Sequence, residues 1–161
     1  MYRSDYCPTA PFVEGFSKVS SHYQTILVAV DYSYASAKVL ERALLLAKVN
    51  CSTLHIVHVI RTRLPFQSRE TSAIDPSYKD VMIKDSIALF EIASKKATEA
   101  GVRYVTVRLE GDPAEEILKY AEENKIELIV IGSKEKQKTV HLGSVSSRVA
   151  SEAKCSVLIE R

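Results

Sequence analysis

Short apolar runs alternate with longer amphipathic segments along the chain from residue 25 onward. A run that is nearly all apolar suits a strand covered on both faces of a sheet, whereas alternating apolar and polar positions indicate partial exposure. The pattern predicts five strands, at residues 25–31, 53–60, 102–109, 127–132 and 156–160. The third of these alternates enough to be an edge strand.

Helical periodicity fills the four intervals between these strands. The first helix begins after Ser33 or Ser36, either of which can act as its N-cap, and extends to about residue 49. The second covers about 77–100, with Val81 and Ile87 on the stripe that should face the core.

The third helix has the clearest start signal in the chain, a Gly-Asp-Pro-Ala-Glu sequence. Asp112 is suited to the N-cap and Pro113 to the first helical position, and Glu115 completes a capping box. This helix should end near residue 124, and a fourth should cover about 144–153.

Strict alternation of five strands with four helices predicts an α/β protein, with a parallel sheet covered by helices on both faces. Right-handed crossovers favour a doubly wound sheet, in which ligands bind outside the carboxyl ends of the strands where the winding direction reverses. If the first and fourth strands are central neighbours, Asp31 and Gly132 border the same crevice. The sequence therefore predicts one binding site assembled from two distant segments.

Two Gly-Ser turns flank the loop that follows the fourth strand, Gly132-Ser133 before it and Gly143-Ser144 after it. Glycine allows close backbone approach to a ligand, and a helix start offers unpaired N–H groups, so the turns could hold an anion such as phosphate. The loop between them carries Lys134, Lys136, Lys138 and His141. These side chains could neutralise phosphate, although a solvated polar loop is the plainer interpretation.

The composition fits one globular domain of ordinary type. The 161 residues are 46% hydrophobic and 26% charged, and no run approaches the roughly 18 apolar residues of a membrane span. The formal charge of +2 comes from 22 basic and 20 acidic residues mixed along the chain, so no nucleic-acid or membrane partner is predicted.

Residues 1–22 are predicted to form an irregular N-terminal arm ahead of a single domain at 23–161. The arm lacks the basic start, apolar centre and small-residue cleavage site of a secretory signal. Cys7, Cys51 and Cys155 are odd in number and share no short ligand spacing, which fits a reducing cytoplasm and no zinc site.

Two histidines on the second strand invite a metal interpretation. His55 and His58 are three residues apart, so on a strand they point to opposite faces and cannot form one site together. We interpret each as a structural or surface histidine, and no metal site is predicted.

Four motifs occur in order over about residues 23–161: Ile26-Leu27-Val28-Ala29-Val30-Asp31, His58-Val59-Ile60, Gly111-Asp112-Pro113, and Leu128-Ile129-Val130-Ile131-Gly132-Ser133 followed by Gly143-Ser144-Val145-Ser146. With these motifs the chain resembles the universal stress protein family. The resemblance implies an adenine-nucleotide alpha-hydrolase-like three-layer sandwich with strand order 3-2-1-4-5. It also implies a homodimer, formed by antiparallel pairing of the last strands from Ser156 to Glu160.

The resemblance further implies a site for ATP or another adenine nucleotide. It assigns Ala29, Asp31 and Val59 to the adenine and ribose side, and Ile131, Gly132, Gly143, Ser144 and Val145 to the ribose and phosphate side. Asp31 could instead cap the following helix, and Ser144 and Ser146 are also ordinary capping residues.

The chain departs from the Gly-x2-Gly-x9-Gly-Ser/Thr motif of the ATP-binding members. Gly132 and Gly143-Ser144 match its ends, but Glu135 stands at the second glycine and the loop is two residues short. Two residues remove up to about 7 Å of contour. The Glu135 carboxylate would repel phosphate by roughly 1 kcal/mol at about 4 Å in water-like surroundings, and by about 4 at an effective dielectric near 20. ATP binding should therefore be weak or altered.

Three functions remain open from the sequence. The first is a stress-response protein that binds an adenine nucleotide without turnover. The second is a family member without ATP binding that acts as a dimeric interaction or signalling module toward an unknown protein partner. The third is a slow ATPase, which is disfavoured because no nucleophile and base pair, metal cluster or complete P-loop is recognisable.

Overall fold

Five strands and four helices alternate along the part of the chain that the structure, a computed structural model, describes: residues 22–62, 76–133 and 142–161. In order they are β1 (Thr25–Ala29), α1 (Tyr34–Asn50), β2 (Thr53–Arg61), α2 (Pro76–Ala100), β3 (Arg103–Gly111), α3 (Pro113–Glu123), β4 (Leu128–Gly132), α4 (Ser144–Glu152) and β5 (Ser156–Glu160). The predicted arm, apart from its last residue, and the basic loop at 134–141 lie outside the described residues. No described helix combines the length and apolar character that a membrane span needs.

All neighbouring strands pair in parallel, and their order is β3-β2-β1-β4-β5. The doubly wound fold and its strand order are thereby confirmed, as is the edge position of the third strand. β1 is central, with Ile26 opposite Leu54 on β2 and Leu128 on β4. The winding direction reverses between β1 and β4, so the carboxyl ends of these two strands flank the crevice.

The sheet separates two apolar layers, which explains why its central strands are apolar on both faces. On one face, Ile26 and Val28 pack with Val39 and Ala43 of α1 and with Ala93 and Ala97 of α2. On the other face, Leu27, Val57 and Ile129 pack with Ile117 and Ala121 of α3 and with Val149 of α4. The result is a three-layer sandwich.

β1 ends at Ala29, two residues earlier than predicted. The Val30 N–H still donates to the Val57 carbonyl at 2.9 Å, but the Asp31 N–H donates to Ser36 Oγ at 2.9 Å. Asp31 therefore belongs to the turn that leads into α1. Ser33 occupies the N-cap position without a side-chain cap hydrogen bond, because its hydroxyl donates to the Asp31 carboxylate instead.

The inward stripe predicted for α2 was wrong at two positions. Val81 and Ile87 are 53% and 49% exposed. The helix instead buries Ser86, Ala93 and Ala97, whose spacing of seven and four residues places them on one face. Ser86 can face the core because its hydroxyl donates to the Ile83 carbonyl at 2.6 Å within the helix.

Replacing Asp112 with alanine should lower the free energy of unfolding by about 1 kcal/mol. Asp112 Oδ1 accepts the Glu115 N–H at 3.0 Å, which confirms the predicted cap of α3. The ion pair of Asp112 with Arg148 at 3.1 Å is half exposed and should add little. Urea unfolding would measure the loss, and Asp112→Asn, which keeps a cap acceptor without the charge, should remain close to wild type. Equal losses in both variants would contradict the cap as the cause.

Candidate functional site

A cavity of about 620 Å³ lies at the carboxyl ends of β1, β2 and β4. Its volume falls within the roughly 300–1,000 Å³ typical of small-molecule sites. The structure brings all eight site residues of the sequence analysis into its lining: Ala29, Asp31, Val59, Ile131, Gly132, Gly143, Ser144 and Val145. Their roles toward a ligand remain predictions.

The turn after β1 places Asp31 at the cavity through a set of short hydrogen bonds. Asp31 Oδ1 accepts the Ser33 N–H at 2.9 Å as well as the Ser33 hydroxyl. The Asp31 N–H is bonded to the buried Ser36. These contacts fix the turn by which α1 begins, so the partly buried carboxylate is held against the cavity wall.

The opposite wall comes from the end of β4 and the start of α4. A Cβ atom added at Gly132 would lie 2.9 Å from Val39 Cγ2, so the wall has no room for a side chain there. Gly143 is the N-cap of α4, and the first N–H groups of the helix face no acceptor within the helix itself. The Ser146 hydroxyl donates to the Gly143 carbonyl at 3.0 Å rather than capping an N–H group.

Among the described residues that line the cavity, Asp31 is the acidic side chain and Arg61 the basic one. Arg61 ends β2, two residues after Val59 on the same face of the strand. β1 separates β2 from β4, so the strands that carry Arg61 and Gly132 are two strand spacings, or roughly 10 Å, apart. Arg61 adds a basic residue to the lining on the β2 side of the cavity.

The lining residues that sequence reasoning did not assign to the site include Tyr32, His58, Arg61 and Met82. Tyr32 follows Asp31 in the turn after β1, and His58 and Arg61 lie near the carboxyl end of β2. Because ligands bind at the carboxyl ends of the strands, the positions of these three residues next to predicted strand ends could have indicated them. Met82 had no such signal, because it comes from α2 and reaches the cavity only through the packing of that helix.

The two histidines of β2 lie on opposite faces of the sheet, as predicted. His55 faces α3, where its Nδ1 is 2.9 Å from the Tyr120 hydroxyl, and burial lowers its pKa. His58 faces the α1 and α2 side. Within the described ranges, no group of three or more His, Cys, Asp or Glu side chains could hold a metal ion.

A doubly wound sheet with a cavity at its reversal point is the architecture in which α/β proteins bind small molecules. The model of the universal stress protein family matches residues 22–161. The universal stress protein YxiE of Bacillus subtilis strain 168 is 38% identical over 148 residues, which cover 86% of this chain and 99% of that protein. The chain belongs to the universal stress protein family.

Solved structures agree with this fold. The universal stress protein UspA from Lactobacillus plantarum matches with a TM-score of 0.73 at 23% identity, over 88% of this chain and 100% of that one. A universal stress protein solved in complex with cAMP matches with a TM-score of 0.67 at 26% identity, over 88% of this chain and 98% of that one.

Proposed function

We propose that this protein is a stress-response protein that holds an adenine nucleotide, ATP or AMP, in the cavity at the carboxyl ends of β1 and β4. The observation that carries the proposal is the convergence of eight residues, from β1 and the turn after it, from β2 and β4, and from the start of α4, on one cavity of suitable size. The similar protein solved with cAMP supports an adenine nucleotide as the ligand class. We expect the protein to work in the cytoplasm.

The nucleotide is expected to bind weakly or in an altered mode. Gly132 avoids a side chain that would press on Val39 at the cavity wall, and the start of α4 offers N–H groups to phosphate. Glu135 and the shortened loop oppose a triphosphate, by repulsion and by reduced reach. A nucleotide with fewer phosphates should therefore compete well with ATP.

We further propose binding without turnover. Within the described lining, Asp31 is already engaged by Ser33, and Ser146 donates to a backbone carbonyl. Both groups are therefore engaged in contacts within the protein rather than placed to activate a water molecule. Phosphate release by purified protein in the presence of ATP and Mg²⁺ would measure turnover. Release of several phosphate molecules per protein molecule would contradict the proposal.

Replacing Asp31 with alanine should weaken nucleotide binding by about 10- to 100-fold, the range expected for lost hydrogen bonds to a charged group. Asp31→Asn is the matched control, since it can still accept the Ser33 N–H and so keep the turn. Calorimetric titration with AMP and ATP should place the Asn variant between wild type and Asp31→Ala. Unchanged affinity in Asp31→Ala would contradict the proposed pocket.

Purified protein offers a direct first observation. The chain has no Trp, so its absorbance near 280 nm rests mainly on 8 Tyr residues. A co-purified adenine nucleotide would raise the ratio of absorbance at 260 nm to that at 280 nm. If the ratio is that of protein alone, binding is measured by titration with added nucleotide.

A second candidate function is a dimeric interaction module. It is favoured by the position of β5 at the edge of the sheet, where one side of the strand has no partner among the described strands. Edge strands are ready templates for pairing with another chain. The two functions are compatible, because the cavity lies at the strand ends and the pairing edge lies along β5.

A further inference from the structure

Cys51 lies at the end of α1 and carries a disulfide bond. It is the C-cap of the helix, with a φ of 55°, and its backbone N–H donates to the carbonyls of Ala47 and Lys48. The residue is exposed, so the bond is made at the surface of the domain rather than in its core. The odd number of cysteines and their spacing did not predict this bond.

The partner of Cys51 follows from the other cysteines of the chain. The sequence has 3 Cys residues, Cys7, Cys51 and Cys155. Cys155 is a free thiol that packs against the layer of α3 and α4. Within one chain, the bond can therefore join Cys51 only to Cys7, which belongs to the N-terminal arm.

The chain enters β1 directly beside Cys51. The Tyr23 N–H donates to Asn50 Oδ1 at 3.2 Å, and the Ser52 hydroxyl donates to the Tyr23 carbonyl. The two neighbours of Cys51 thus hold the residue that follows the arm. Roughly 15 residues lie between Cys7 and Tyr23, and they span up to about 50 Å when extended, so the arm is long enough to return to Cys51.

An exposed apolar surface lies on the last turns of α1, close to Cys51. Leu45 and Val49 are 54% and 60% exposed, and residues four apart are neighbours on one face of a helix. The arm contributes four aromatic side chains on the two sides of Cys7: Tyr2, Tyr6, Phe12 and Phe16. A bond to Cys51 raises the local concentration of these side chains at the apolar surface, where mutual burial is favourable.

The surroundings of Cys51 suit a bond that exchanges. Arg103 Nη2 donates to the Cys51 carbonyl at 2.7 Å, so a positive charge lies beside the bond. Thiol–disulfide exchange proceeds by attack of an anionic thiolate, which positive charge attracts and an exposed site admits. In a reducing compartment, disulfides of this kind are usually transient and redox-sensing.

We infer that Cys7 and Cys51 form a redox-sensitive disulfide that fastens the N-terminal arm to the surface of Leu45 and Val49. The oxidant is a low-molecular-weight disulfide. The Cys51 thiolate attacks it and forms a mixed disulfide with release of one thiol, and the Cys7 thiolate then displaces the second. Two electrons and the two cysteine thiol protons end on the two released thiols, and an excess of small thiol reverses both steps.

This inference does not depend on nucleotide binding. Cys51 precedes the amino end of β2, whereas the cavity lies at the carboxyl ends of the strands. The arm is therefore fastened at the end of the sheet opposite the proposed nucleotide site.

Peptide mapping of the full chain tests the pairing. The protein is equilibrated with glutathione disulfide, alkylated to block free thiols, and digested with trypsin, which places the three cysteines in separate peptides, 4–18, 49–61 and 155–161. We expect peptide 4–18 to be joined to peptide 49–61, in a species that dithiothreitol removes. Any other joined pair, including two copies of 49–61, or the absence of joined peptides overturns the inference.

Thermal unfolding tests whether the bond fastens the arm. Oxidised wild type should unfold about 5 °C or more above reduced wild type, because the bond closes a long loop in the unfolded chain. Cys51→Ser should lose this shift, and Cys155→Ser is the matched control that should keep it. Equal unfolding temperatures for oxidised and reduced wild type overturn the fastening.

A double variant, Leu45→Gln with Val49→Gln, tests the surface to which the arm is fastened. Both side chains are exposed, so the fold should persist. The difference in unfolding temperature between the oxidised and reduced forms should become smaller, while peptide mapping still finds the bond. An unchanged difference overturns the packing of the arm on α1.

Discussion

Gly132→Val should reduce the affinity for an adenine nucleotide by roughly 30-fold or more, the factor that corresponds to the upper part of overpacking costs. The Cβ atom alone would lie 2.9 Å from Val39 Cγ2, on a helix that packs tightly on the sheet. The two methyl groups beyond it must then enter the cavity or displace α1. Calorimetric titration with AMP would measure the loss.

A graded set of variants separates cavity filling from damage to the fold. Gly132→Ala adds only the atom that meets Val39, so combining it with Val39→Ala should recover part of the lost unfolding free energy. Adding Val39→Ala to Gly132→Val should relieve the clash but leave methyl groups near the cavity, so binding should stay weak. Near wild-type affinity in folded Gly132→Val would refute the cavity as the nucleotide site.

The fold was predictable because its local signals agree with one another. The apolar runs at β1 and β4 require cover on both faces, and Asp112 caps α3 as its sequence indicates. The errors fall where hydrogen bonds and packing override the apolar pattern. β1 ends early because Ser36 captures the Asp31 N–H, and α2 turns Ser86 inward while exposing Val81.

The part of the site that is formed by strand ends could be predicted from the sequence. Topology alone brings Asp31 and Gly132 together once β1 and β4 are neighbours. Met82 depends on which face of α2 meets the sheet, and periodicity placed Val81 and Ile87 on that face although both are exposed. The contact of His58 Nδ1 with the Val30 carbonyl joins residues 28 positions apart in sequence, which no local pattern specifies.

Ile159→Pro should convert the proposed dimer, paired through β5, into a monomer of 17.9 kDa. The Ser156 N–H donates to Glu127 and the Glu160 carbonyl accepts from Ser133, so the backbone groups of both residues point toward β4. Because backbone direction alternates along a strand, the N–H of Ile159 points to the open edge. Proline removes that donor and leaves the ladder to β4 intact. Sedimentation equilibrium would give the mass.

Leu158→Pro is the informative control, since the N–H of Leu158 points toward β4 and its side chain packs on the α1 side of the core. Leu158→Pro should lower the free energy of unfolding of the monomer. Ile159→Pro, in contrast, should unfold at nearly the same denaturant concentration as monomeric wild type. Proline is a sharper probe than a charge at Val157 or Ile159, because both side chains pack partly against the α3 and α4 layer. A folded Ile159→Pro variant that keeps the mass of a dimer would show that the subunits associate through another surface.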